Sequence, residues 1–206
     1  MKIIVDGVSK RFNREWIIRK LSYTFEPGIA HAVTGPNGAG KSTLLSLLSG
    51  QVPPSEGTIT YINGERQIPV EDVYTHLALA APYMDLIEEL TLEEHVDFHF
   101  KLKQPRPGLT VAKAIERMYL ERARKKTLGD FSSGMKQRVR LGLAFYTQSR
   151  ILILDEPATN LDAQAYNWYR VQLAGLPPEC LVIIASNNPA EYPENSRILQ
   201  LQDLKK

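Results

Sequence analysis

Residues 35–42, Gly35-Pro36-Asn37-Gly38-Ala39-Gly40-Lys41-Ser42, combine three glycines, a lysine and a hydroxyl in an order that handles phosphate. Glycines let the backbone curl until successive N–H groups face one anion. Lys41 offers a point charge to the β- and γ-phosphates of a nucleotide, and Ser42 offers a hydroxyl to Mg2+. Further along, Asp155-Glu156 closes the apolar run at 151–154. A carboxylate at the carboxyl end of a buried strand, near such a loop, suits Mg2+ held through water. A second acid beside it suits the orientation or deprotonation of an attacking water. A third feature is Ser132-Ser133-Gly134 within "DFSSGMKQR", a small-residue turn that opens onto a basic, amphipathic stretch. It predicts a serine-capped helix start with N–H groups exposed to an anion.

The surrounding pattern predicts elements that position these residues. Apolar runs at 3–8 and 22–34, with the turn signal Glu26-Pro27-Gly28, read as strands. "HAVTG" leads into the glycine loop, and "KSTLLSLLSG" reads as a helix ending at Gly50. "GTITYING" alternates as a strand closed by Asn63-Gly64. Residues 86–149 differ: Leu92, Val96 and Phe100, then Met135, Val139, Leu143 and Tyr146, recur at helical spacing, with a break at 104–108. This predicts a lobe of about three helices set into an α/β body. "RILILDEP" and "CLVIIAS" read as strands buried on both faces, with a helix near 162–174 between them and "RILQLQ" as a last strand.

The bulk numbers fit such a body. The 206 residues are 43% hydrophobic and 23% charged, with a formal net charge of +2, so nothing demands a nucleic-acid partner. The single cysteine, Cys180, lies in an apolar run and reads as a buried thiol in a reducing compartment. No signal peptide and no apolar stretch near the ~20 residues of a bilayer span is visible, so no direct membrane insertion is expected.

With these motifs in place, the chain resembles the ATP-binding subunit of ABC transporters along nearly its whole length. "KRFN", "GPNGAGKS", "LTLEEH", "FSSGMKQR", "ILILDEPATNLD" and "VIIASN" occur in that family's order. The small size is similar to compact subunits of the haem-exporter type. The resemblance implies an α/β fold: a P-loop NTPase (RecA-like) core with an antiparallel β-subdomain and an inserted α-helical subdomain, the core at roughly 1–85 and 150–206 and the helical part at roughly 86–149. It implies ATP and Mg2+ as ligands. Phe12 matches the aromatic that stacks on adenine, with Trp16 as a nearby substitute. Asn37 to Thr43 match the phosphate loop, which Gly35 and Pro36 open. Ser42 and Asp155 match the metal ligands, Glu156 the catalytic base and Asp162 the acid of the turn after it.

In that family two subunits pack head-to-tail, and each nucleotide lies between one phosphate loop and the other subunit's signature turn. Ser132, Ser133 and Gly134 match that turn. The resemblance therefore implies a second ATP-binding subunit, in a homo- or heterodimer, and an integral membrane permease that holds the chain at the cytoplasmic face of the cell membrane.

Three positions depart from the family pattern. Ser133 and Met135 stand where the signature has glycine and glutamine. Ala81 or Pro82 falls where a glutamine meets Mg2+ and water, with Asp85 as a substitute. Asn187 replaces the switch histidine and can still donate a hydrogen bond, without charge, to the γ-phosphate. These departures predict modest turnover with Glu156, Lys41 and Asn187 as the catalytic group. They keep open a weakly hydrolysing regulatory partner, and, in another class, a soluble ABC-type ATPase without a permease. His95 and His99, four residues apart, read as a packing or solvated pair, and the basic residues at 122–126 and 136–140 as a solvated face.

Overall fold

The computed structural model describes residues 1–201. The chain runs β1 (Lys2–Phe12), β2 (Glu15–Phe25), β3 (His31–Thr34), α1 (Lys41–Leu48), β4 (Glu56–Asn63), β5 (Arg66–Ile68), β6 (Leu77–Ala80), α2 (Leu92–Leu102), α3 (Val111–Arg117), α4 (Ser133–Tyr146), β7 (Ile151–Asp155), α5 (Ala163–Ala174), β8 (Leu181–Ala185) and β9 (Arg197–Gln200). It divides into two compact units, one of Met1–Leu77, Arg150–Asp155 and Pro177 onward, the other of Ala78–Ser149 and Glu156–Leu176.

The first unit is α/β. β1, β2, β4 and β5 form an antiparallel sheet in the order β2-β1-β4-β5. β7, β8, β3 and β9 are parallel neighbours in that order. Every residue of β7 and β8 is buried, as uninterrupted apolar runs covered on both faces require. The predicted turn signal at Glu26-Pro27-Gly28 divides 22–34 between the end of β2 and all of β3. Pro27 lacks an N–H and Gly28 adopts φ 92°, so the chain turns between β2 and β3. β9 covers Arg197–Gln200, and Gln202 of the predicted last strand lies outside the described residues.

The second unit is helical. A reciprocal capping box starts α2: the Thr91 side chain accepts the Glu94 N–H while Glu94 Oε2 accepts the Thr91 N–H. Leu92, Val96 and Val139 are fully buried, on the spacing that predicted them. α4 and α5 share an aromatic core, with Phe145 edge-on to Trp168 at 6.1 Å and tilted against Tyr169 at 6.0 Å. Residues 156–176, including α5, thus cluster with the helices.

Of the two readings open for the histidine pair, packing holds at His99: its Nε2 lies 2.8 Å from Thr147 Oγ1, and burial, with His95 and Lys103 nearby, lowers its pKa to about 4. The basic face keeps Arg122, Lys125 and Lys126 exposed, as the sequence predicted, while some of its cations also find carboxylates. Arg124 and Lys125 both pair with Glu93, Lys136 pairs with Glu88, and Arg138 reaches Asp162 at 3.8 Å. The two cations hold the Glu93 carboxyl at a pKa of about 2. Cys180 is buried, as its apolar surroundings predicted.

Candidate functional site

Strand register assembles the first group of candidate residues. Asp155 of β7 pairs with Ala185 of β8, which pairs with Val33 of β3. These three positions mark one carboxyl edge of the parallel sheet. Gly35 follows Val33 by two residues and Asn187 follows Ala185 by two, so the loop, Asp155 and Asn187 leave the sheet side by side. Asp155 itself is only 3% exposed.

Two hydrogen bonds fix the loop entry. Asn187 Oδ1 accepts the Gly35 N–H at 2.9 Å, and Lys41 Nζ donates to the Gly35 carbonyl at 2.8 Å. Lys41 is 6% exposed. Because Asn187 uses its carbonyl oxygen as acceptor, its NH2 remains a donor directed by that bond. Ala39 donates to the Pro36 carbonyl at 3.0 Å, closing the turn over Asn37 and Gly38.

Gly40 joins the loop to α1 in a left-handed conformation, φ 98°. A Cβ at Gly40 would stand 2.7 Å from Ile17 Cγ2 of β2, so only glycine fits both the turn and this approach. No side chain caps the amino end of α1, and its first turn carries no acid. The first-turn N–H groups, next to Lys41, Ser42 and Thr43, therefore suit an anionic ligand.

The contact at Ile17 brings the β1–β2 hairpin against the loop. Phe12 stands on that hairpin, 48% exposed, with Lys10 Nζ 5.1 Å from its ring centre. Trp16 is engaged by two guanidiniums, Arg11 at 5.5 Å and Arg19 at 5.4 Å. That leaves Phe12 as the ring more open to a planar ligand.

The remaining candidates lie in the second unit. Ser132 caps α4, its Oγ accepting the Met135 N–H at 3.2 Å, and Ser133 and Gly134 form the first turn. Asp162 caps α5, its Oδ1 accepting the Ala165 N–H at 2.7 Å. Glu156 follows Asp155 directly and has φ 43°, a left-handed conformation uncommon for a residue with a Cβ. Such strain is characteristic of functional turns.

The turn from Glu156 to Asp162 rests on the start of α4. Gln137, 2% exposed, donates from Nε2 to the Pro157 carbonyl at 2.9 Å. A Cβ on Gly134 would meet the Asn160 carbonyl oxygen at 2.8 Å. Gln137 was not singled out from sequence. Its signal was there: with Leu141 and Ala144 it falls at i, i+4 and i+7, on the buried stripe of α4. A second unforeseen tie is Arg140 Nε, which donates to the Met84 carbonyl at 2.7 Å and anchors the segment after Ala81 and Pro82.

For Mg2+, the first unit offers the Ser42 hydroxyl and the Asp155 carboxylate, both hard oxygen donors. Among the described residues no group of three or more His, Cys, Asp or Glu could enclose a metal. A sparse oxygen set fits Mg2+, which keeps waters and takes phosphate oxygens rather than an all-protein cage.

The comparisons with known proteins agree with this geometry. A family model described as "ABC transporter" matches residues 18–159. The Nod factor export ATP-binding protein I of Rhizobium johnstonii is 30% identical over 171 residues, which are 81% of this chain and 55% of that protein. The chain thus spans about half the length of that curated relative. Among solved structures, an ATP-binding subunit of an ABC transporter aligns at TM-score 0.79 and 25% identity, covering 100% of this chain and 89% of the other. An ATP-binding cassette in a dimeric, post-hydrolysis state with ADP and Pi aligns at TM-score 0.80 and 19% identity, covering 98% and 94%.

Proposed function

The chain belongs to the ABC transporter family, and from that premise we propose that it is the subunit that binds and hydrolyses ATP to drive transport. The observation that carries the proposal is the loop entry, where Asn187 and Lys41 both bond to Gly35 at the sheet edge that also holds Asp155. ATP enters with its phosphates along Gly35–Thr43. Lys41 transfers its hydrogen bond from the Gly35 carbonyl to the β- and γ-phosphate oxygens. Ser42 and Asp155 would hold Mg2+, which would supply neutralisation of the phosphate charge. Phe12 stacks on the base.

A second ATP-binding subunit, identical or related, completes the site with its Ser132, Ser133, Gly134 and Asp162. Glu156 orients a water and accepts its proton as the oxygen attacks the γ-phosphorus and the bond to ADP breaks. Asn187 donates its remaining N–H to the γ-phosphate. A neutral amide in that place, and Ala81-Pro82 where a glutamine would meet the water, favour modest turnover, because nucleotide binding and transition-state stabilisation are separable.

Among the described residues no helix is long and apolar enough to cross a membrane. Its family membership favours a chain that reaches its membrane through a permease subunit, on the cytoplasmic face. Sedimentation of Glu156→Gln with and without ATP, alongside parent turnover, tests the reading. An ATP-dependent dimer and measurable phosphate release support it; a chain that stays monomeric and releases no phosphate overturns it.

A further inference from the structure

The helical unit contains a pocket of about 650 Å3 between the ends of α3, α4 and α5. No residue discussed for nucleotide chemistry lines it. Arg106, Lys113 and Arg117 do, against the single carboxylate of Glu116. Elsewhere in this unit several cations pair with carboxylates: Lys101 with Asp97, Arg124 and Lys125 with Glu93, Lys136 with Glu88. Here, among the described residues, neither Lys113 nor Arg117 has a carboxylate partner. The nearest bond is a long one, 3.4 Å, from Lys113 Nζ to the Gly108 carbonyl.

Cations at helix carboxyl ends commonly serve the helix itself, by answering its last carbonyls. Here several of those carbonyls are already engaged by other donors. The Arg117 carbonyl accepts Trp168 Nε1 at 2.6 Å, and the Tyr146 carbonyl accepts the Arg106 N–H at 2.8 Å. Val171 and Leu173 accept from Gly175 and Leu176. The charges of Lys113 and Arg117 are left for something outside the chain.

The remaining walls carry Tyr119, Tyr146 and Val171 beside the Gln172 amide and Gly175. Tyr119 is held 59% exposed at φ 57°, a conformation that costs a residue with a side chain, and Val171 is equally exposed. Tyr146, 2% exposed, also lines the pocket. Its hydroxyl is buried, without a geometric hydrogen-bond partner among the described residues.

We propose that this pocket binds a small organic phosphate, the phosphate among Arg106, Lys113 and Arg117 and an adjoining planar or apolar group against Tyr119 and Val171. Guanidinium forks match phosphate oxygens in pairs, and an ammonium adds a point charge. A mononucleotide and a phosphatidic headgroup share this chemistry.

Calorimetric titration of phenyl phosphate into the full chain tests it. Saturable binding is expected, weakened about tenfold or more in Lys113→Gln/Arg117→Gln and retained in Lys41→Ala. The reverse pattern would place the phosphate in the glycine loop and overturn the proposal, as would no saturable binding. Tyr119→Gly relieves the left-handed backbone and so preserves the fold. It should weaken phenyl phosphate while leaving inorganic phosphate unchanged, and equal loss of both overturns the aromatic contact. Competition by AMP or by dihexanoyl phosphatidic acid identifies the source, and competition by neither overturns the assignment.

Discussion

Asn187 Oδ1 accepts the N–H of Gly35 at 2.9 Å, tying the end of β8 to the first residue of the phosphate loop. Asn187→Ala leaves a buried N–H without its acceptor, which should lower stability by about 1–2 kcal/mol and weaken ATP binding. Asn187→Asp keeps an acceptor, so the melting temperature should recover, yet its charge beside the loop should weaken ATP binding further. Thermal melts with nucleotide titration check both. An unchanged melt in Asn187→Ala would show that the bond contributes nothing.

Glu156 combines a proposed chemical role with a left-handed backbone, φ 43°. Glu156→Gln should reduce turnover by about 100-fold or more with ATP affinity unchanged. Glu156→Gly should be equally inactive but at least as stable, because relief of about 1–2 kcal/mol of left-handed strain exceeds the ~0.5–1 kcal/mol entropic cost of glycine. Phosphate release and urea denaturation of the two variants separate chemistry from strain.

Gly134 and Gln137 hold the same turn through Asn160 and Pro157. Gly134→Ala should cost about 1–3 kcal/mol by overpacking. Gln137→Met should cost about 1–3 kcal/mol by stranding a buried carbonyl. Since both act on one turn, their effects should not add, with a coupling of about 0.5 kcal/mol or more in a double-mutant cycle read from urea midpoints. Strict additivity would mean that the two contacts are independent.

His99 gives the fold a defined response to acid. Burial, then His95 and Lys103, lower its pKa from 6.5 to about 4, and burial lowers that of His95 too. Between those values the unfolded chain binds more protons than the folded one, so stability is full above about pH 6.5 and falls as pH drops towards about 4. His99→Gln should flatten that slope in denaturation midpoints measured from pH 4 to 7. A parallel slope in both proteins would assign the response to other groups.

The buried strands were legible because β7 and β8 are covered on both faces, which writes an uninterrupted apolar run into the chain. The loop, Asp155 and Asn187 were legible for a related reason: each stands one or two residues beyond such a run. The β1–β2 hairpin was legible only at 3–8 and 22–25; its middle was not, since Gly7 takes φ 59° and the pairing shifts register between Val5 and Val8 and again before Lys10, breaking the alternation that announces a half-buried strand. Nor were the approach of Gly134 to Asn160 and the bond from Arg140 to Met84, because each meets a backbone carbonyl far away in the chain. The same holds for the acidic partners of the basic residues: Glu88 and Glu93 lie in the 86–102 stretch, and sequence alone gives no sign that they meet Lys136, Arg124 and Lys125.

The chain has two tryptophans, and they fall one to each compact unit. Trp16 lies against two guanidiniums on the hairpin beside the glycine loop, whereas Trp168 is packed on Phe145 and hydrogen-bonded to a carbonyl. One indole therefore sits in a cationic, half-open setting and the other in a dry one. The molecule carries its own pair of spectroscopically distinguishable reporters, and replacing either with phenylalanine isolates the emission of the other unit without a foreign label.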